Sequence, residues 1–328
     1  RARSLERRRA RKRGSVAQPR ARSLERRRAR KRGSVAQPRA RSLERRRARK
    51  RESVAQKKEL RRSMSEISFE GVTRRFPLAK GGEFLAIDRI DLRIEEKEFV
   101  AIVGPSGCGK TTLMRMAAGL DFPTDGRVLV GGREVTGPGA ERAVVFQQFA
   151  LLPWKTVREN IGFGLMCKGT PRAEAEAAIA RYVELMGLSG HEDSFPHQLS
   201  GGMQQRVAIA RAYVMNPAAL LMDEPFGALD AQTRIVMQEE LVRLARRNPR
   251  TVIFITHAVD EAIYLADRVV VMGRKPGRIL ETIDIRPLRD SGGWEAMPIE
   301  EVMDTPDFTH MRSRIWKLLK AREQERAE

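Results

Sequence analysis

The chain predicts an α/β protein, and three observations carry that prediction. Short apolar runs, FVAIV (99–103), AALLM (218–222), TVIFI (251–255) and RVVVM (268–272), read as buried strands and alternate with helix-patterned segments. The Gly-rich stretch GPSGCGKT (104–111) follows the first of these runs and leads into TTLMRMAAGL, a strand–loop–helix order. AALLM runs into Asp223-Glu224, which puts two carboxylates at the C-terminal end of a strand, where open α/β sheets gather ligands.

Taken in order, the chain opens on a tandem repeat. RARSLERRRARKRGSVAQP fills 1–19, recurs unchanged at 20–38, and starts again at Arg39 before diverging at Glu52. One leucine and one valine per repeat cannot build a core, and like-charge crowding favours a solvated chain, so residues 1–63 are predicted to be a disordered basic tail. Helical repeat arrays bury a face in every unit, and this repeat has none. The tail reads as an in-frame duplication, or as sequence upstream of the true start, because Met64 stands where ordinary patterning begins. The competing reading is an electrostatic tether to lipid headgroups, RNA or DNA.

From Ser65 onward, ISFEGVTRRF (67–76) and FLAIDRIDLRIEEKEF (84–99) alternate as antiparallel strands joined by PLAKGG. RVLVGGREV (127–135) is expected to be a hairpin turning on Gly131-Gly132, and AVVFQ (143–147) a buried strand with a polar end. Residues 148–215 read as mostly helical. Within them Thr170-Pro171 is expected to cap a helix that buries Ile179, Val183 and Met186 on one face and stops at Gly187. RVVVM and RILETIDI (278–285) are expected to form a last hairpin around GRKPGR. The closing segment from Thr305 reads as a helix with Met311, Ile315, Trp316 and Leu319 on one side.

The formal charge of +21 is unevenly placed: residues 1–63 hold 28 Lys and Arg against 5 Asp and Glu, leaving 35 against 37 elsewhere. The basicity therefore belongs to the tail, and the near-neutral remainder offers no broad surface for nucleic acid. Two cysteines without a CxxC pair argue against a disulfide scaffold or zinc site, and Cys108 inside the Gly-rich loop fits a reducing cytosol. No apolar run approaches the roughly 18 residues that span a bilayer, and no signal peptide is evident, so any membrane attachment rests on something else.

GPSGCGKT is a P-loop, whose backbone N–H groups and following helix start favour phosphate. Gly104, Pro105, Ser106, Gly107, Cys108, Gly109, Lys110, Thr111 and Thr112 are thus candidate nucleotide-binding residues. Lys110 is expected to reach the β- and γ-phosphates and the Thr111 hydroxyl to ligate Mg²⁺. Cys108, among N–H groups and close to Lys110, is expected to be a thiolate that reports nucleotide occupancy. LMDEP (221–225) resembles a Walker B segment: Asp223 would hold Mg²⁺ and Glu224 would polarise the attacking water. In LSGGMQQR (199–206), Ser200, Gly201 and Gly202 open a helix ended by Asn216-Pro217, a second anion-favouring helix start.

With LSGGMQQR in hand, the chain resembles an ATP-binding cassette (ABC) ATPase from about Met64 to Ile285, with the family's motifs in order. The resemblance implies a P-loop NTPase (RecA-like) core with an antiparallel β subdomain and a helical signature subdomain (about 148–215). It implies an ABC domain over 64–285, with a tail at 1–63 and a C-terminal extension with a helix at 286–328. It implies ATP and Mg²⁺ as cofactors and a head-to-tail dimer in which one protomer's P-loop and the other's Ser200, Gly201, Gly202 and Gln204 hold each ATP. Gln147 resembles the Q-loop glutamine, a contact for Mg²⁺ and water, and Asp230 lies in a segment similar to the D-loop. His257 resembles the H-loop histidine, which joins Glu224 and Gln147 as candidate catalytic residues, and Phe76 resembles the adenine-stacking aromatic. Ala258 departs from the Asp more usual after that histidine.

FALLPWKTVRENI (149–161), THAVDEAIYLADRVVVM and TPDFTHMRSRIWKLL resemble the nitrate/sulfonate/taurine importer group. That likeness implies integral-membrane permease subunits, with Phe149, Leu151, Leu152 and Trp154 near the groove for the permease's coupling helix. It also implies indirect work with a periplasmic or extracellular solute-binding protein, and a peripheral position on the cytoplasmic face of the inner (plasma) membrane. Two readings compete. A soluble ABC ATPase acting on nucleic acid or ribosomes would suit the tail but lacks the second cassette, coiled-coil insertion or zinc cysteines of such proteins. A plain P-loop kinase would not explain LSGGMQQR.

Overall fold

The computed structural model describes residues 65–274 and 276–324, and the expected tail lies outside them. The apolar runs gather into a six-stranded sheet of order β10-β9-β3-β8-β7-β6. β3 (Phe99–Val103), β6 (Arg142–Val145), β7 (Ala219–Asp223), β8 (Thr251–Thr256) and β9 (Arg268–Met272) run parallel, and β10 (Ile279–Asp284) closes one edge antiparallel to β9. β3 and β8 are buried throughout, which is why they read as continuous apolar runs. Their side chains still alternate between two cores. Val100, Ile102, Ile253 and Ile255 pack with the second sheet and the first helix, while Ala101, Val103, Val252 and Phe254 pack with the other helices.

The second sheet is antiparallel, β2-β1-β4-β5, built from β1 (Ile67–Pro77), β2 (Glu83–Ile94), β4 (Asp125–Val130) and β5 (Arg133–Glu134). The turn at Gly131-Gly132 joins β4 to β5 as expected. The stretch 84–99 is not one strand. It ends at Ile94, Lys97 takes a left-handed φ of 63°, and the Glu98 carboxylate accepts the Glu95 N–H at 2.8 Å. The chain then crosses into the other sheet as β3, a break hidden in the sequence because both flanks are β-patterned.

Helices cover the six-stranded sheet: α1 (Lys110–Ala118), α2 (Val157–Cys167), α3 (Arg172–Leu185), α4 (Gly201–Val214), α5 (Ala231–Arg247), α6 (Val259–Leu265), α7 (Arg286–Gly292), α8 (Ile299–Asp304) and α9 (Pro306–Gln324). α2, α3 and α4 pack on one another, with Ile161, Ile179, Val183 and Tyr213 in their shared core. A capping box between Thr156 and Glu159 starts α2. Buried Asn160 bonds the backbone of Leu152, Lys155 and Thr156, pinning the loop before that helix. α3 starts one residue later than the sequence suggests. Pro171 is itself the N-cap, in extended conformation (ψ 137°), and no side chain caps the helix.

Beyond β10 the described residues form three α-helices and a short 3-10 turn (Trp294–Ala296) where the sequence pattern marks one helix. α9 buries Phe308, Met311 and Ile315, and it packs on α6 and β9. Trp316, expected on that face, is instead 47% exposed, because the spacing from Phe308 to Ile315 fixes a stripe that Trp316 falls beside. No helix among the described residues is long and apolar enough to cross a membrane.

Candidate nucleotide site

Strand register places the site. Val103 pairs with Thr256 and Asp223 with Ile255, so the parallel strands end level. Gly104, Asp223-Glu224 and Thr256-His257 therefore leave the sheet along one edge.

The loop after β3 turns through Gly107 (φ 76°) and Gly109 (φ 96°), left-handed geometry that a Cβ resists, and Gly109 is the N-cap of α1. Buried Lys110 bridges the loop, its Nζ donating to the carbonyls of Gly104 (2.8 Å) and Pro105 (3.3 Å). Cys108 is fully buried and absent from the cavity wall, its Sγ lying 2.8 Å from where a Cβ on Gly104 would stand. Burial pushes its thiol up, over the opposing pull of Lys110. The expected thiolate is thus corrected: Cys108 is a buried thiol packed behind the loop.

Beside the loop lies a cavity of about 270 Å³ walled by Ser106, Gly107, Gly109, Lys110, Thr111, Thr112, Glu224, Ala86, Phe76 and Phe84. Phe76 and Phe84 are cross-strand partners of β1 and β2, so the rings reach the cavity together. The Arg74 guanidinium sits 4.4 Å from the Phe76 ring centroid. Phe84 escapes sequence reasoning; the signal for it is the hairpin register across PLAKGG, which sets it opposite Phe76.

Thr111 Oγ1 donates to Asp223 Oδ1 at 3.1 Å. Burial pushes the Asp223 carboxyl up, against the Thr111 hydrogen bond, and the Glu224 charge adds to the rise. Glu224 holds a left-handed φ of 46°, fixed by its N–H donating to Ile255 O (2.9 Å) and its carbonyl accepting from Gly227 N (3.0 Å). That conformation costs a non-glycine residue about 1–2 kcal/mol. It leaves Glu224 Oε2 3.1 Å from His257 Nδ1, a pairing the sequence does not reveal.

A second, larger cleft of about 660 Å³ holds Gln147 and Gln204 with Asp223, bordered by Phe146, Phe149, Leu151 and His197. Gln147 lies two residues past the end of β6, and its Nε2 is 3.4 Å from where a Cβ on Gly227 would stand. The Gln204 amide donates to the carbonyls of Pro196 (2.9 Å) and Leu199 (3.3 Å), which fastens the turn before the signature. Trp154 is 70% exposed, whereas Phe149 and Leu151 pack against the core.

Ser200, Gly201, Gly202 and Asp230 line neither cavity. Ser200 Oγ caps α4 by accepting Met203 N (3.3 Å), and Asp230 caps α5 by accepting Thr233 N (2.9 Å). These helix starts press together so closely that a Cβ on Gly202 would stand 2.6 Å from Thr233 Cγ2. One chain thus carries two phosphate-favouring helix starts that do not share a cavity.

Among the described residues no group of three or more His, Cys, Asp and Glu is placed to hold a metal. The adjacent Thr111 hydroxyl and Asp223 carboxylate are hard oxygen donors of the kind that suit Mg²⁺, which takes few protein ligands and fills its shell with phosphate and water. The site's residues therefore fit Mg²⁺ together with a nucleotide.

The family model described as ABC transporter matches residues 87–227. An uncharacterized ABC transporter ATP-binding protein of Methanocaldococcus jannaschii is 52% identical over 228 residues, covering 70% of this chain and 85% of that protein. The chain belongs to the ABC transporter ATP-binding family. This ABC cassette hydrolyses ATP, and cassettes of its kind dimerise and work with transporter partners. Nitrate import ATP-binding protein NrtD of Synechocystis is 43% identical, covering 76% of this chain and 94% of that protein. Bicarbonate transport ATP-binding protein CmpC of Synechococcus elongatus is 44% identical, over 76% of this chain but only 37% of that protein. Among solved structures, the dimeric cassette MJ0796 with ADP and Pi has a TM-score of 0.60 at 31% identity, over 67% of this chain and 99% of that one.

Proposed function

We propose that this ABC cassette is the ATPase subunit of an importer for a small anion, such as nitrate, a sulfonate, taurine or bicarbonate. The observation that carries the reading is the likeness to NrtD across nearly its whole length, beyond the catalytic motifs alone. Two copies would work with integral-membrane permease subunits at the cytoplasmic face, and indirectly with an external solute-binding protein. Exposed Trp154 and the cleft beside Gln147 suit a permease helix.

The residues divide the work as follows. Phe76, with Phe84 beside it, offers a stacking surface for adenine. The 104–112 backbone and Lys110 hold phosphate. Thr111, Asp223 and Gln147 would hold Mg²⁺, which supplies charge neutralisation on the phosphate oxygens. Glu224 orients the attacking water and accepts its proton, and His257 steadies the Glu224 carboxylate toward the γ-phosphate. Because the Ser200 helix start lies outside its own chain's nucleotide cavity, a second chain arranged head to tail would bring its Ser200, Gly201, Gly202 and Asp230 to the first chain's phosphates.

Uptake tests the assignment. Cells lacking this chain are expected to lose transport of one labelled solute among nitrate, bicarbonate, taurine and an alkanesulfonate. The intact chain should restore it, and a Lys110→Ala chain should not. Undiminished uptake of all four would overturn the importer reading.

A further inference from the structure

Glu261, on α6, is 7% exposed, and its carboxylate lies where three elements meet. Oε2 accepts the Thr256 hydroxyl at 2.6 Å. Oε1 accepts Gln238 Nε2 at 3.1 Å and stands 3.8 Å from Arg234 Nε. Arg234 Nη2 donates to the carbonyl of Leu229, inside the turn that follows Glu224. Thr256 Oγ1 in turn accepts the Ala258 N–H at 2.9 Å, so His257 is held in a small ring closed on both sides by the hydroxyl that Glu261 fixes.

We infer that Glu261 is a positioning residue that couples the 226–230 turn to His257. Neither Glu261, Gln238 nor Arg234 lines the nucleotide cavity, so any effect on hydrolysis passes through other residues. A buried carboxylate is a poor source of stability, because an apolar side chain of similar size holds a fold as well without the desolvation cost. What the carboxylate supplies here is connection. A contact made by a second chain on Asp230 moves the start of α5, α5 carries Arg234 and Gln238, and both bear on the group that sets Thr256 and the backbone of His257. The inference rests on the proposed roles of His257 and of the 226–230 turn.

Steady-state hydrolysis by the full-length chain tests it. Glu261→Gln keeps the volume and loses the charge facing Arg234. Its kcat should fall roughly tenfold, with the KM for Mg-ATP within about threefold and the melting temperature little changed. Thr256→Val should behave alike, and Thr256→Ser, which keeps the hydroxyl, should restore kcat. Pairing Glu261→Gln with Arg234→Met should cost no more than the worse single change. Additive losses, equal losses in Thr256→Ser and Thr256→Val, or a lower melting temperature with normal kcat would overturn the coupling. Should Glu261→Gln not fold, the Thr256 pair decides. His257→Ala separates the two layers. If it is impaired while Glu261→Gln and Thr256→Val are normal, only the coupling fails; if it keeps full kcat, the reading of the site itself fails.

Discussion

Cys108 stands in the middle of the phosphate loop and yet is chemically closed. It is fully buried, and burial raises its thiol, whereas Cys167 at the end of α2 is exposed. A maleimide should therefore label Cys167 alone, to one equivalent, without loss of ATP hydrolysis, and Cys167→Ser should abolish labelling. Labelling of Cys108 that Mg-ATP blocks would contradict this burial. Gly202 is a matching case of space deciding identity. Its missing Cβ would stand 2.6 Å from Thr233 Cγ2, on a β-branched side chain with little room to rotate. Gly202→Ala should cost about 1–3 kcal/mol by overpacking, and Thr233→Ser, which removes that methyl, should recover most of it. Chemical denaturation of the single and double variants measures both; a double variant no better than Gly202→Ala would contradict the contact.

At the scale of elements, α9 is held by its Phe308, Met311 and Ile315 stripe. Phe308→Ala should destabilise by about 3–5 kcal/mol, whereas Trp316→Ala, on the exposed side, should cost under about 1 kcal/mol, both read from denaturant midpoints. The turn between β2 and β3 carries a pH signature. Glu98 is raised by burial, against the pull of the Glu95 N–H and of Arg268, so the folded state binds its proton more readily than the unfolded chain does. Its contribution to stability is thus present at acid pH and lost as pH rises through its folded value. The melting temperature of the native chain should gain on that of Glu98→Gln as pH falls from about 7 toward the carboxylate range; a constant difference would contradict the sign. That same turn marks where sequence reading stops. The buried strands β3, β7, β8 and β9 and the motifs at their ends were legible, because five-residue apolar runs and the Gly-Lys-Thr and Ser-Gly-Gly patterns are local signals. AVVFQ, expected as a buried strand, is instead the half-buried edge strand β6, which ends at Val145. The break at 95–98, the start of α3 at Pro171 and the outward Trp316 depend on which neighbour each segment meets. Phe84 and the Glu224–His257 pair were hidden because each is made by register between strands, β1 with β2 across one hairpin and β7 with β8 across a helix.

At the scale of the molecule, the described residues supply two separate anion-favouring helix starts, α1 after the P-loop, which no side chain caps, and α4, which the Ser200 hydroxyl caps. Glu224 sits at the first of them in strained backbone, poised against His257. In the proposed head-to-tail dimer the two starts would meet around ATP, so nucleotide binding would bring the chains together and hydrolysis would release them. Light scattering on Glu224→Gln with and without Mg-ATP tests this most directly. The amide keeps the shape and loses the proton acceptor, so hydrolysis should fall by roughly 10²–10⁴. Lys110, Thr111 and Asp223 are untouched, so the variant should bind ATP and double in mass. Adding Ser200→Arg, a bulky cation at the α4 start, should return it to monomer. Normal hydrolysis by Glu224→Gln, or a chain that traps ATP yet stays monomeric with Ser200→Arg making no difference, would contradict the composite site.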